Sequence, residues 1–235
     1  MLSQIFKEPI SIVGCGRTDA QVHASQFFFH FDVAKDWTFD LKFQLNKGLP
    51  HDITVFDVIR MHGLPHARFD AIQRSYDYYL HTRNDPFLVG LSAYYPVSDL
   101  DPDKMKQAVG LLTKYNDYGC LCKSPLKYEH TICQVSQAQL FSDIHQTRFR
   151  LHISSNRFLA GMIRIIMGKL LEIGQGKLSV NDFEQYLQTK STPKTIIPVY
   201  AQGLYLSKVT YPYLDLPNRS VFDEILLTKV DKSVS

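Results

Sequence analysis

Apolar and polar positions alternate with a period of two along several stretches of the chain. Over residues 25–33 one parity reads Ser25, Phe27, Phe29, Phe31, Val33 and the other Gln26, Phe28, His30, Asp32. That pattern predicts a strand with one strongly apolar face. Residues 147–154 alternate more cleanly, with Phe149, Leu151 and Ile153 opposite Arg148, Arg150 and His152. Weaker runs of the same kind fall at 10–13, 53–61, 72–82, 132–141 and 204–211. Strands with one apolar and one polar face are characteristic of antiparallel sheet.

Between them the period changes to that of a helix. Asp101 followed by Pro102 is an N-cap and first-turn pair, and Met105, Ala108, Val109 and Leu112 then recur at helical spacing. Residues 38–47, closed by Gly48, predict a shorter helix, and 181–190 another, with Phe183, Tyr186 and Leu187 in register. The longest helix is expected over 157–173, stopped by Gly174. Strands and helices interleave, yet no strand has the continuous apolar character of a parallel sheet, so the fold class is α+β.

Composition narrows the setting. The chain has 235 residues, 45% hydrophobic and 21% charged, which supports a folded core rather than disorder. Even the most apolar helical run, 158–173, carries Arg164, Lys169 and Glu172, short of the roughly 18 apolar residues a membrane span needs. MLSQIFKEPI has no charged lead before a long apolar stretch, so no secretory signal is visible and a cytoplasmic location is expected. Lys and Arg number 26 against 23 Asp and Glu, a net +3 that permits a nucleic-acid partner if the positive groups cluster on one face, without requiring one. Of four cysteines, three gather with a histidine as Cys120, Cys122, His130 and Cys133; the spacing departs from paired zinc arms, which favours reduced, buried thiols over a metal site.

Three features carry candidate chemistry. The first is the knot GCGRTDAQVHA, residues 14–24, where glycines let the backbone turn sharply and present Arg17, Thr18, Asp19 and His23 together. It is either a turn whose polar groups satisfy one another or a loop that holds an acid in a fixed orientation; its glycines match neither a phosphate loop nor a dinucleotide fingerprint. The second is Arg164, which on a helix over 157–173 shares one stripe with Arg157, Gly161 and Gly168. Amid Leu, Ile and Met it either reaches solvent along the helix or, if buried, needs an anionic partner, for which Asp19 is available. The third is Tyr76, in a strand that places Ile72, Arg74, Tyr76, Tyr78 and Leu80 on one face; it is a stacking surface for a base or a core aromatic with a bonded hydroxyl. Arg148, Arg150 and His152, and the run His62, His66 and Arg68, offer positive groups for phosphates or simply a solvated face.

At this point the chain resembles the TruA-type tRNA pseudouridine synthases, the tRNA pseudouridine synthase A family. The resemblance is carried by GCGRTDAQVHA, HARFDAIQRSYDYYL, DYGCLCKS, NRFLAGMIRIIMGKLLEIGQGKLS and AQGLYLSKVTY, in order, from about residue 9 to residue 211. It implies two α+β halves built on RRM-like (ferredoxin-like) antiparallel sheets flanked by helices: 1–68 carrying the aspartate loop and 69–217, with a tail over 218–235. It implies a homodimer that binds tRNA and converts uridine to pseudouridine in the anticodon stem-loop, usually at positions 38 to 40, with no cofactor and no metal. Residue by residue, Asp19 resembles the catalytic aspartate, Arg17 the arginine that helps the target nucleotide leave the stack, Tyr76 the tyrosine that stacks on uracil, and Arg164 the basic partner of the aspartate.

The chemistry explains those residue types. The C1′–N1 bond breaks, the uracil turns within the pocket, and a C1′–C5 bond forms, so an ionised carboxylate is needed near the sugar or ring; it acts by covalent attack or by taking a proton in a glycal route. A guanidinium beside a carboxylate favours its charged form, and flipping the base costs a few kcal/mol that stacking partly offsets. Two departures stand out. Gln21 occupies the place of a glycine and removes easy access to positive φ. Family members also carry a first strand, a Tyr-Asp-Gly-Thr and Gly-Trp-Gln segment and a helix before the aspartate loop, where here only MLSQIFKEP precedes it; a shortened start that exposes Phe27, Phe29 and Phe31 is the expectation. Alternatives to an active synthase are a tRNA-binding homologue with impaired catalysis and, less in keeping with the motifs, a hydrolase using Asp19 and His23.

Overall fold

A computed structural model describes residues 1–193 and 196–217 of the chain. Two compact units are found: the first comprises residues 1–17 and 28–71, the second residues 18–27 and the described residues from 72 onward. The expected tail, 218–235, lies outside the described residues.

In the first unit, helix α1 (Leu2–Phe6) and helix α2 (Leu41–Gly48) bury Leu2, Leu41 and Leu45 against one another. Phe6, Phe31, Trp37 and Val55 close over this small cluster. Asp40 caps α2 by accepting the Phe43 N–H at 2.9 Å, so the helix starts three residues later than the apolar spacing suggested. The unit's strands are brief: β1 (Val13–Gly14) pairs antiparallel with a second short strand, Phe29–His30. Two expected strands are therefore corrected. Of 25–33 only Phe29 and His30 are paired within this sheet, and 53–61 forms no strand, because alternation alone supplies no hydrogen-bonding neighbour. Phe27 and Phe29 are exposed, as expected, whereas Phe31 packs into the cluster.

The second unit is a six-stranded sheet with helices. Its strands, numbered along the whole chain, are β2 (His23–Ala24), β4 (Gln73–His81), β5 (Ala93–Tyr94), β6 (Val135–Ser142), β7 (Arg148–Ser155) and β8 (Leu204–Thr210); β3 is the Phe29–His30 strand of the first unit. The order is β2-β8-β4-β7-β6, with β5 also paired to β4. The long pairs are antiparallel, as the one-sided patterns predict; β2 with β8 and β5 with β4 are parallel. On one face Tyr78, Leu80, Phe149, Leu151 and Ile153 join α3 (Pro102–Leu111), α4 (Met162–Gly174) and α5 (Val180–Thr189) in a single core. Asp101 and Ser179 cap α3 and α5 through the Lys104 and Asp182 N–H groups, at 3.0 Å in both cases.

Helix α4 begins at Met162 rather than at 157, because Gly161 at its N-cap takes φ +72°, a conformation that interrupts a right-handed helix. Arg157 thus leaves the stripe it was expected to share with Arg164. Its guanidinium instead lies 5.7 Å from the Tyr128 ring centroid and 3.2 Å from the imidazole Nε2 of His130.

Candidate active site

The aspartate loop is a turn pinned at its downstream end. The Val22 N–H donates to the Asp19 carbonyl at 3.2 Å, closing a four-residue turn over 19–22. Gln21 adopts φ +68°, so the glutamine keeps the left-handed conformation a glycine would take easily, a strain of about 1 kcal/mol. Immediately afterwards His23 and Ala24 pair in parallel with Tyr205 and Leu206. The Ser25 N–H donates to the Leu206 carbonyl at 3.0 Å, and the Gln26 side-chain oxygen accepts the Val209 N–H at 2.8 Å. His23 is occupied: its ring stacks on Tyr205 at 4.4 Å and its Nε2 sits 2.8 Å from the Gly90 carbonyl oxygen.

This anchoring leaves the Asp19 carboxylate exposed and facing α4. Arg164 Nη1 donates to Asp19 Oδ2 at 3.2 Å, joining residues 145 positions apart in sequence. The two partners differ in environment: the arginine side chain is 15% exposed and the aspartate side chain 65%. A half-solvated pair contributes at most about 1 kcal/mol to stability. Arg164 is fixed from behind, where its Nε donates to the Val199 carbonyl at 2.6 Å and its own carbonyl accepts the Val199 N–H at 3.2 Å. Gly168, one turn further along α4, permits this approach; a Cβ there would stand 3.0 Å from the Ile197 carbonyl oxygen.

Tyr76 is half-buried on the core-facing side of β4, the side that also carries Tyr78, and meets Phe158 edge to face at 5.2 Å. Arg17 is exposed where the chain passes from the first unit to the second. The structure therefore brings Asp19 and Arg164 together and sets Tyr76 in the same unit. What sequence reasoning missed is the segment 197–200 and the tyrosines Tyr78 and Tyr95 that hold it; the only available signal was Tyr78, two positions from Tyr76 and hence on the same strand face.

The other candidate groups are otherwise engaged. Arg148 pairs with Asp85 at 2.8 Å, His152 Nδ1 lies 2.9 Å from Asp77 Oδ1, and Arg150 covers the Phe141 ring at 4.3 Å, so this set forms internal contacts rather than an open basic face. His66 Nδ1 accepts the Arg68 and Phe69 N–H groups, capping its own loop. Cys120, Cys122 and Cys133 are buried, and burial pushes the thiols of Cys120 and Cys133 up to about 11, which keeps them protonated at neutral pH. Among the described residues, no three His, Cys, Asp or Glu side chains gather into a metal-holding group, and no helix is long and apolar enough to cross a membrane.

Comparison with known proteins identifies the family of the chain. Residues 115–212 match the sequence pattern of a family described as tRNA pseudouridine synthase. The chain is 35% identical to tRNA pseudouridine synthase A of Porphyromonas gingivalis over 214 residues, covering 90% of this chain and 84% of that protein. It is 36% identical to the Bacteroides fragilis protein of the same name over the same shares, and 30% identical to that of Staphylococcus aureus over 92% of this chain and 80% of the relative. An α+β chain of this similarity along nine-tenths of its length belongs to the tRNA pseudouridine synthase A family.

Proposed function

We propose that this chain isomerises uridine to pseudouridine in the anticodon stem-loop of tRNA, at positions 38 to 40, with Asp19 as the catalytic carboxylate. The observation that supports the assignment is the Asp19–Arg164 pair: an exposed carboxylate met by an arginine whose head is held from behind. Membership of a tRNA pseudouridine synthase family makes the protein an isomerase acting on tRNA.

In this reading the target uridine is extruded from its stack, with Arg17 filling the space it leaves. Tyr76 lies against the uracil face and recovers part of the unstacking energy. Asp19 acts on the sugar or the ring while the C1′–N1 bond breaks; the uracil turns, C5 bonds to C1′, and the C5 hydrogen leaves to a base. Arg164 keeps the carboxylate aimed by donating a hydrogen bond to it. A homodimer and a cytoplasmic location complete the proposal.

Release of tritium from tRNA labelled at uridine C5 tests it. The unaltered protein should release tritium from the anticodon arm, and Asp19→Asn should reduce kcat by about 10²–10⁴-fold while still binding tRNA. Full turnover by Asp19→Asn would refute the assignment.

A further inference from the structure

Behind the Asp19–Arg164 pair stand two tyrosines that do not touch the aspartate. Tyr78, fully buried on β4, donates its hydroxyl to the Tyr200 carbonyl at 2.8 Å. The Tyr200 N–H donates to the hydroxyl oxygen of Tyr95, also at 2.8 Å, and the rings of Tyr95 and Tyr200 stack with centroids 5.1 Å apart. Both backbone polar groups of Tyr200 are thus held by phenols.

The covalent geometry turns this into a constraint on Arg164. The Tyr200 N–H and the Val199 C=O belong to one planar peptide group, so fixing the direction of one fixes that of the other. That same Val199 carbonyl receives Arg164 Nε at 2.6 Å, and Nη1 of the same rigid guanidinium reaches Asp19. Rotation of this one peptide plane would release the Tyr95 contact and the Arg164 contact together. Burial pushes both phenols upward from their ordinary value, so each stays protonated across the physiological range. The passage is narrow as well: a Cβ on Gly203 would lie 2.5 Å from the Tyr79 carbonyl oxygen and 2.7 Å from the Tyr78 ring.

We propose that Tyr78 and Tyr95 are positioning residues that aim Arg164 at Asp19 by clamping the two peptide groups of Tyr200, Tyr95 holding the Val199–Tyr200 peptide and Tyr78 the Tyr200–Ala201 peptide that follows it. The inference rests on the reading of Asp19 and Arg164 as the reacting pair. An arginine side chain has many rotamers, and a single bond to an exposed carboxylate does not select one. The clamp supplies the second fixed point.

Tyr78→Phe and Tyr95→Phe remove one oxygen each and keep the rings. Steady-state turnover of unmodified tRNA should show kcat lowered about 5- to 50-fold in each, with KM for tRNA unchanged within about twofold. The double variant should lose less than the product of the two, because both hydroxyls hold one residue. Tyr118→Phe, which removes another buried phenol hydrogen bond in the core, to the Leu112 carbonyl, is the comparison for stability alone; it should lower Tm while leaving kcat within about twofold. If Tyr78→Phe and Tyr95→Phe keep kcat as Tyr118→Phe does, while Asp19→Asn loses turnover, the clamp is overturned and the reacting pair stands. If Asp19→Asn itself keeps turnover, both fall.

Discussion

Exposure divides the labour between the two charged residues of the site. Asp19 projects into solvent, where the proposed reaction needs it, and Arg164 is anchored in protein by the Val199 carbonyl. At the same scale the loop carries a cost: Gln21 sits at φ +68° where glycine would be unstrained. Gln21→Gly should raise stability by about 1 kcal/mol, partly offset by the greater freedom of glycine in the unfolded chain, and differential denaturation would measure it. Turnover should be retained, since the turn that orients Asp19 keeps its Val22 to Asp19 hydrogen bond.

Among the elements, the close approach of β4 to the turn before β8 is the most exacting. Gly203 has no room for a methyl group against the Tyr79 backbone. Gly203→Ala should therefore destabilise the protein by about 1–3 kcal/mol and lower kcat as well, because the displaced segment carries Val199 and Tyr200; thermal melts and turnover at a temperature well below Tm separate the two effects. Which elements were legible in the sequence follows from similar physics. The strands β4, β6, β7 and β8 and the helices α3 and α5 carry their own evidence, a strict period and a capping residue, and they stand within a few residues of where the pattern put them. Stretches 25–33 and 53–61 have apolar positions but lack ladder partners over most of their length, a property of neighbours that no local pattern encodes. The Asp19–Arg164 contact was readable as one of two alternatives, because a guanidinium in an apolar helix either reaches solvent or, if buried, needs an anion. The Val199 carbonyl that steadies it was not, since a backbone oxygen leaves no mark on residue identity.

Taken whole, the molecule divides its stability unevenly. The second unit has a core that runs from Tyr78 through Met167 to Phe183, whereas the first closes over three buried leucines. Native-state hydrogen exchange should find the amides of β4 and β7 protected at least about tenfold more than those of α2, and equal protection would show that the units open together. The parallel pairing of β2 with β8 has a consequence for how the protein is made. The loop bearing Asp19 leaves the ribosome early, but the strand that holds it down and the helix that supplies its arginine follow some 145 residues or more behind. During synthesis the nascent chain carries a carboxylate with neither its partner nor its scaffold. On the role proposed for Asp19, chemistry on RNA awaits translation of β8.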